Sequence, residues 1–243
     1  MIKNTILVMS GKGGVGKTTV AVNLAAWLVS SGTTTGLLDV DIHGPNVPLM
    51  AGVSTARLQV ENEKITPVVL ESGLRVMSIA FLLENADSSI IWRGPMKHNV
   101  IKQFVEDVAW GDLDYLVIDF PPGTGDECIS AAQLIPSGRS AVIVSSPQQV
   151  SLLDCRKSID FCRQFQIPVI GLIENMSGEL FGEGSVAALA AAQGVPFLGS
   201  LSMDRSITLA GDSGEPFVLG TSPAATRFQD IATRISLYCE EKK

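Results

Sequence analysis

The stretch SGKGGVGKTT at residues 10–19 constrains the fold more than any other part of the chain. It follows a short apolar run, residues 6–9, and precedes a segment in which Val20, Leu24, Trp27 and Leu28 recur at helical spacing over residues 18–30. A glycine loop that closes a strand and opens a helix can turn successive backbone N–H groups around phosphate oxygens. The helix start adds the positive end of its dipole. Gly11, Lys12, Gly13, Gly14, Val15, Gly16, Lys17 and Thr18 fit GxxxxGK[ST], with Thr19 directly after them. All nine are expected to bind nucleotide, Lys17 by neutralising the β and γ phosphates and Thr18 also as a magnesium ligand. Lys12 is a second lysine that phosphate binding alone does not require.

Two further segments supply carboxylates. YLVIDFPPGTGD ends an apolar run at Asp119, where a carboxylate reaches a magnesium ion through water. The loop after it, Pro121, Pro122, Gly123, Thr124 and Gly125, has the position of a switch whose Gly123 N–H senses the γ phosphate; the alternative is an ordinary strand-to-helix connection. LLDVDIHGPN holds Asp39 and Asp41 two positions apart, and a strand continuing through both would point them to opposite sides. Asp39 is then expected at the magnesium and Asp41 as the residue that orients the attacking water, with an acidic turn before Gly44 and Pro45 as the other reading of Asp41.

Nearly continuous apolar runs at 6–9, 36–38, 76–79, 115–118, 141–144, 169–173 and 197–201 have the character of strands buried on both faces. With helical stretches between them, such as 18–30 and 96–108, they predict an α/β chain. The expected architecture is a P-loop fold with a mostly parallel sheet of about seven to eight strands and helices on both faces. Residues 52–73 form an expected insertion in which ENEK, residues 61–64, turns between two short edge strands. A helix from Val186 should stop at Gly194, ahead of Pro196. The 243 residues are expected to make one domain, 1–243.

Apolar residues are 46% of the chain, but no run approaches the roughly 18 residues of a membrane helix, and no secretory signal opens it. A cytoplasmic protein without membrane attachment is expected. The formal charge of −7 argues against nucleic-acid partners. Cys128, Cys155, Cys162 and Cys239 form no CxxC pair and are expected to be reduced. Cys155 and Cys162, on one expected helix, lie about 10.5 Å apart along its axis at 1.5 Å per residue, too far to share one metal within a subunit. His43 and His98 belong to no metal-spacing motif. Trp92 and Arg93 suit either an interface or a packed loop.

The motif KGGVGKTT, with Lys12 five positions before Lys17, resembles the deviant Walker A signature of the class that includes MinD, ParA and the nitrogenase iron protein. Within that class WRGPM, DFPPGTGDE, SSPQQVSLLDCRKSI, GLIENMSG and GDSGEPFV resemble the Mrp family of ATP-dependent iron–sulfur cluster carriers, in order along nearly the whole chain. The resemblance implies a homodimer that encloses two ATP molecules with magnesium and couples hydrolysis to cluster carriage or assembly. It further implies that Lys12 reaches nucleotide in the partner subunit, giving it a catalytic role beside Lys17 and Asp41. It implies too that Asn175 reads the adenine edge, for which an amide has the donor and the acceptor; a structural turn residue is the alternative. Mrp-type carriers place a CxxC pair shortly after ENMS, whereas ENMSGELFGEGS, residues 174–185, has no cysteine. An iron–sulfur cluster would therefore draw ligands from a partner, and a MinD-like or ParA-like positioning ATPase without metal cargo is the alternative.

Overall fold

The structure, a computed structural model, describes every residue except 43, 62, 63, 83–93, 137 and 243, and for 94–97 the backbone alone. The P-loop hangs between β1 (Ile2–Met9) and α1 (Lys17–Ser30). β2 (Thr35–Asp39) and a single-turn α2 (Val47–Met50) follow. β3 (Gln59–Glu61), β4 (Lys64–Thr66), β5 (Val68–Val69) and β6 (Arg75–Ser78) come next. The second half alternates regularly: α3 (Gly94–Glu106), β7 (Leu113–Asp119), α4 (Asp126–Leu134), β8 (Arg139–Ser145), α5 (Gln149–Gln164), β9 (Val169–Ser177), α6 (Ser185–Gln193) and β10 (Phe197–Ser202). α7 (Arg205–Ser213) and α8 (Pro223–Glu241) close the chain.

Eight strands make one sheet in the order β10-β9-β8-β1-β7-β2-β6-β5, parallel except for β5. The expected sheet, parallel with helices on both faces, is thus present. Right-handed crossovers explain the layering. From β1 the chain moves toward β2, whereas from β6 to β7, β7 to β8, β8 to β9 and β9 to β10 it moves the other way, so the helices of the two sets lie on opposite faces. The packing agrees: α1 touches α2 and α8, while α3 touches α4 and α5 touches α6. The reversal of direction beside β1 creates a crevice at the carboxyl ends of the strands, where open α/β sheets bind ligands.

Burial on both faces is why the strands read as unbroken apolar runs. Ile6, Leu7, Val8 and Met9 are all fully buried, each such aliphatic side chain contributing about 1.5–3 kcal/mol relative to exposure. α1 is enclosed on more sides than an amphipathic stripe requires, because α2, α8 and the short turn at 217–219 pack on it besides the sheet. Only Trp27 of its four periodic residues is incompletely buried.

Two expectations change. The strands flanking ENEK, β3 and β4, pair as a separate antiparallel ribbon, and the edge of the main sheet is instead β5. Of ENEK itself, residues 62 and 63 lie outside the described set, as do His43, Trp92 and Arg93. β9 runs beyond the expected 169–173 to Ser177, so Asn175 sits within the strand. The helix from Val186 stops as expected, at Gly194 in the left-handed region with φ 66°.

Candidate functional site

The residues singled out from the motifs converge at the carboxyl ends of β1, β2, β7 and β9. Gly14 and Gly16 have φ of 78° and 88°, which side chains with a Cβ rarely adopt, and Gly16 forms the N-cap of α1. A Cβ on Gly13 or Gly14 would meet nothing within 4 Å, so this part of the loop is an open cradle. A Cβ on Gly11 would lie 2.3 Å from the Asp154 backbone of α5, and one on Gly16 2.1 Å from Asn175 Nδ2. The loop is thus clamped at both ends and open in its middle. Asn175, 7% exposed, donates from Nδ2 to the Val15 carbonyl at 2.8 Å, so one of its amide hydrogens already holds the loop.

Lys17 and Thr18 project from the first turn of α1 onto Asp119. Lys17 Nζ lies 2.6 Å from Asp119 Oδ1 and 3.5 Å from Asp41 Oδ2, and Thr18 Oγ1 donates to Asp119 Oδ2 at 2.7 Å. Burial opposes the charge on Lys17, but Asp119, Asp41 and Asp39 together outweigh it and raise its pKa. Burial likewise raises the pKa of Asp119, with the Lys17 ammonium offsetting part of the shift. A hydroxyl and a carboxylate from two elements, this close and beside an open glycine cradle, are the oxygen donors a magnesium ion on a bound phosphate chain takes. The donor set fits that ion.

Asp39 and Asp41 do not alternate across a strand. β2 stops at Asp39, and the Asp41 N–H turns back to donate to Asp39 Oδ1 at 3.1 Å, which brings both carboxylates into the same pocket. Asp41 faces Lys17, while Asp39 is fully buried and accepts from Ser78 Oγ at 2.9 Å. Asp39 stands opposite Asp119 in the β2–β7 register. Burial, followed by the repulsion of Asp119, pushes its pKa well up. Asp39 therefore sits behind the Lys17, Thr18 and Asp119 group, held by β6 through Ser78. No motif in the sequence marks Ser78, because a lone serine at a strand end has no distinguishing pattern.

The loop after Asp119 is tied to the P-loop. Gly123, at φ 84°, donates its N–H to the Ser10 carbonyl at 2.9 Å, so that N–H is engaged and does not project freely toward a phosphate. Cys128 adds a second tether, its thiol lying 3.4 Å from the Pro121 carbonyl and 3.2 Å from that of Gly123. Burial pushes the Cys128 pKa up to about 12, which keeps the donor proton in place. Lys12 is half-buried, its carbonyl accepts from Ser10 Oγ at 3.0 Å, and among the described residues its ammonium has no ion-pair partner.

Past ENMS the chain makes a tight hairpin, with Gly178 and Gly182 exchanging N–H to carbonyl bonds of 3.0 and 2.7 Å. Glu174, buried, holds the far side of this turn by accepting from the Gly184 and Val186 N–H groups at 2.9 Å each. All four cysteines are buried, and burial pushes Cys155 and Cys162 up to about 12. Cys162 packs on Met9 Sδ at 3.6 Å. Protonated core thiols of this kind do not fit a cluster, and among the described residues no three His, Cys, Asp or Glu form a metal-holding group.

A family model described as "ParA: NUBPL iron-transfer P-loop NTPase" matches residues 1–236. An iron–sulfur cluster carrier protein of Methanocaldococcus jannaschii is 46% identical over 252 aligned positions, covering 100% of this chain and 87% of that protein. A protein of the same name from Saccharolobus solfataricus is 47% identical, covering 96% of this chain and 83% of its own length. Among solved structures, a nucleotide-binding protein of Archaeoglobus fulgidus in complex with ADP is 35% identical. It has a TM-score of 0.79 and covers 93% of this chain and 91% of its own. MinD of Pyrococcus horikoshii, complexed with Mg-ADP, is 22% identical with the same TM-score of 0.79; it covers 100% of this chain and 99% of its own, and shares the fold. A match over nearly the whole length makes this chain a member of the NUBPL iron-transfer family of P-loop NTPases.

Proposed function

We propose that this chain is a magnesium-dependent ATPase that works as a dimeric switch in iron–sulfur cluster carriage or assembly, with the cluster's ligands supplied by a partner. The reading is carried by the convergence of Lys17, Thr18, Asp119 and Asp41 around the open part of the P-loop. In this reading Gly11, Gly13, Gly14, Val15 and Gly16 present backbone N–H groups to the phosphates, and Thr19 continues the helix start that faces them. Lys17 exchanges Asp119 and Asp41 for β and γ phosphate oxygens. Thr18 and Asp119 hold the magnesium ion, which neutralises charge on the transferred phosphoryl group.

Freed from Lys17, Asp41 orients the attacking water. Asp39 backs the site through its Ser78 and Asp41 bonds, reaching the metal only through intervening groups. Asn175 keeps one amide hydrogen on Val15 and offers the rest of the amide to adenine. Release of the Gly123 N–H from Ser10 would let residues 121–125 follow the γ phosphate and pass its presence to α4. The single unit 1–243 is proposed to act as one of two copies, each Lys12 reaching the other's nucleotide.

A cluster is cargo in this scheme, and the buried thiols of this chain do not hold it. The positioning alternative is not favoured: α8 spends its apolar face on the sheet and α1, burying Phe228, Ile231 and Ile235, and no described helix is long and apolar enough to cross a membrane. The reading is tested by sedimentation with and without ATP. The wild-type chain should dimerise with ATP. Lys12→Ala should bind nucleotide and stay monomeric, and Asp41→Ala should remain dimeric with turnover reduced at least about a hundredfold. An unchanged profile for Lys12→Ala, or ordinary turnover by Asp41→Ala, removes the corresponding residue from the scheme.

A further inference from the structure

A cavity of about 690 Å3 lies at the edge of the sheet opposite the P-loop. β1 runs from Lys3 at this cavity to Met9 at the nucleotide loop, a separation of roughly 20 Å at about 3.3 Å per residue. The cavity shares no residue with the candidate nucleotide site. Its size is in the range of small-ligand pockets, roughly 300–1,000 Å3.

Three cations from three elements line it, in a chain whose net charge is −7: Lys3 of β1, Arg139 of β8 and Lys242 at the end of α8. They differ in how they are satisfied. Lys3 is paired with Asp114 Oδ1 at 2.7 Å. Arg139 and Lys242 have no carboxylate partner among the described residues. Lys242 Nζ is 3.4 Å from Ser140 Oγ, the residue next to Arg139, and 4.7 Å over the Tyr238 ring. Arg139 uses Nη1 on the carbonyls of Ile135 and Pro136, and its Nε is buried with no hydrogen-bond partner. A buried guanidinium N–H without an acceptor is costly, and Nη2, which makes no hydrogen bond among the described residues, is the nitrogen left for an anion in the cavity. Phe165, stacked on Phe161 at 4.5 Å, gives the same cavity an apolar wall.

We propose that this cavity is a second ligand site, for a small organic phosphate whose charged group is held by Arg139 and Lys242 and whose carbon skeleton lies against Phe165. A guanidinium and an ammonium together match a dianion better than a single negative charge. The aromatic wall favours an organic ester over inorganic phosphate.

The test is calorimetry on the full chain with Mg-ADP saturating, so that the P-loop cannot take the probe. Phenyl phosphate should bind saturably, more tightly than inorganic phosphate or benzoate. Arg139→Gln should weaken it about tenfold, and Lys242→Gln several-fold. Because Arg139 also holds two backbone carbonyls, Lys242→Gln is the decisive variant: its exposed side chain can be removed without unfolding the chain, as circular dichroism would verify. Absence of saturable binding overturns the proposal, as does binding that Lys242→Gln leaves unchanged. Benzoate bound as tightly as phenyl phosphate overturns the choice of phosphate.

Discussion

Asp114 shows how one carboxylate joins distant segments. At the amino end of the sheet it accepts from Lys3 Nζ at 2.7 Å, from the Thr34 N–H at 2.9 Å and from Thr34 Oγ1 at 2.7 Å. These donors hold its pKa well below the ordinary carboxylate range, the Lys3 bond contributing most. A folded-state pKa below the unfolded value means that the stabilisation is fully present above about pH 4 and is lost as pH falls through the folded value. Asp114→Asn should therefore cost about 1 kcal/mol at pH 7, a modest figure because the group is partly exposed, and progressively less toward pH 2. Urea unfolding of both proteins across that range checks it; a cost independent of pH would show that the charge is irrelevant. The same residue illustrates the limit of reading side chains from sequence. Nothing near Asp114 announces Thr34, because the contact spans 80 positions and exists only once β2 and β7 are neighbours.

At the scale of elements, the junction of the P-loop with α5 decides whether the glycine loop can close. A methyl group on Gly11 would lie 2.3 Å from the carbonyl carbon and oxygen of Asp154, backbone atoms that a helix cannot move independently. Gly11→Ala should destabilise the fold by about 1–3 kcal/mol, the usual cost of overpacking, and weaken nucleotide binding by shifting the loop. Gly13→Ala, where a Cβ meets nothing, serves as the control for stability. Equal thermal midpoints for the two variants would refute this account. Strand and helix positions were largely legible, since runs such as 6–9 and 141–144 are buried on both faces and therefore uninterrupted in sequence. The two short strands around ENEK were legible as β3 and β4, but their separation from the main sheet and the edge strand β5 were not. Short, exposed segments carry little periodicity, and their pairing depends on which edges remain open after the longer strands assemble.

The whole molecule raises the question of cargo. Four thiols are present and all are buried, and burial pushes Cys128, Cys155 and Cys162 up to about 12, which keeps those three protonated near neutral pH. Anaerobic incubation of the isolated chain with iron and sulfide should leave it without a stable cluster, whereas a complex with a cysteine-bearing partner should hold one. Bound iron and the visible spectrum measure both. A stable cluster on the isolated chain would contradict the assignment of its cysteines to the core.

What the sequence by itself determined is the machinery whose chemistry is local. A glycine loop between a strand and a helix, carrying Lys17 and Thr18, must present N–H groups and charge in one place, because neighbours in sequence remain neighbours in space. Asp119 was legible for a related reason, since it ends an apolar strand at the sheet edge where ligands bind. The tertiary structure decided everything that depends on distant segments meeting. It turned Asp41 back beside Lys17, placed Asp39 behind the site on Ser78, set Asn175 onto Val15 and tied Gly123 to Ser10. It also gathered Arg139 and Lys242 around one cavity. Those contacts join residues as far apart as 160 positions, and only the packing of the parallel sheet brings them within hydrogen-bonding distance.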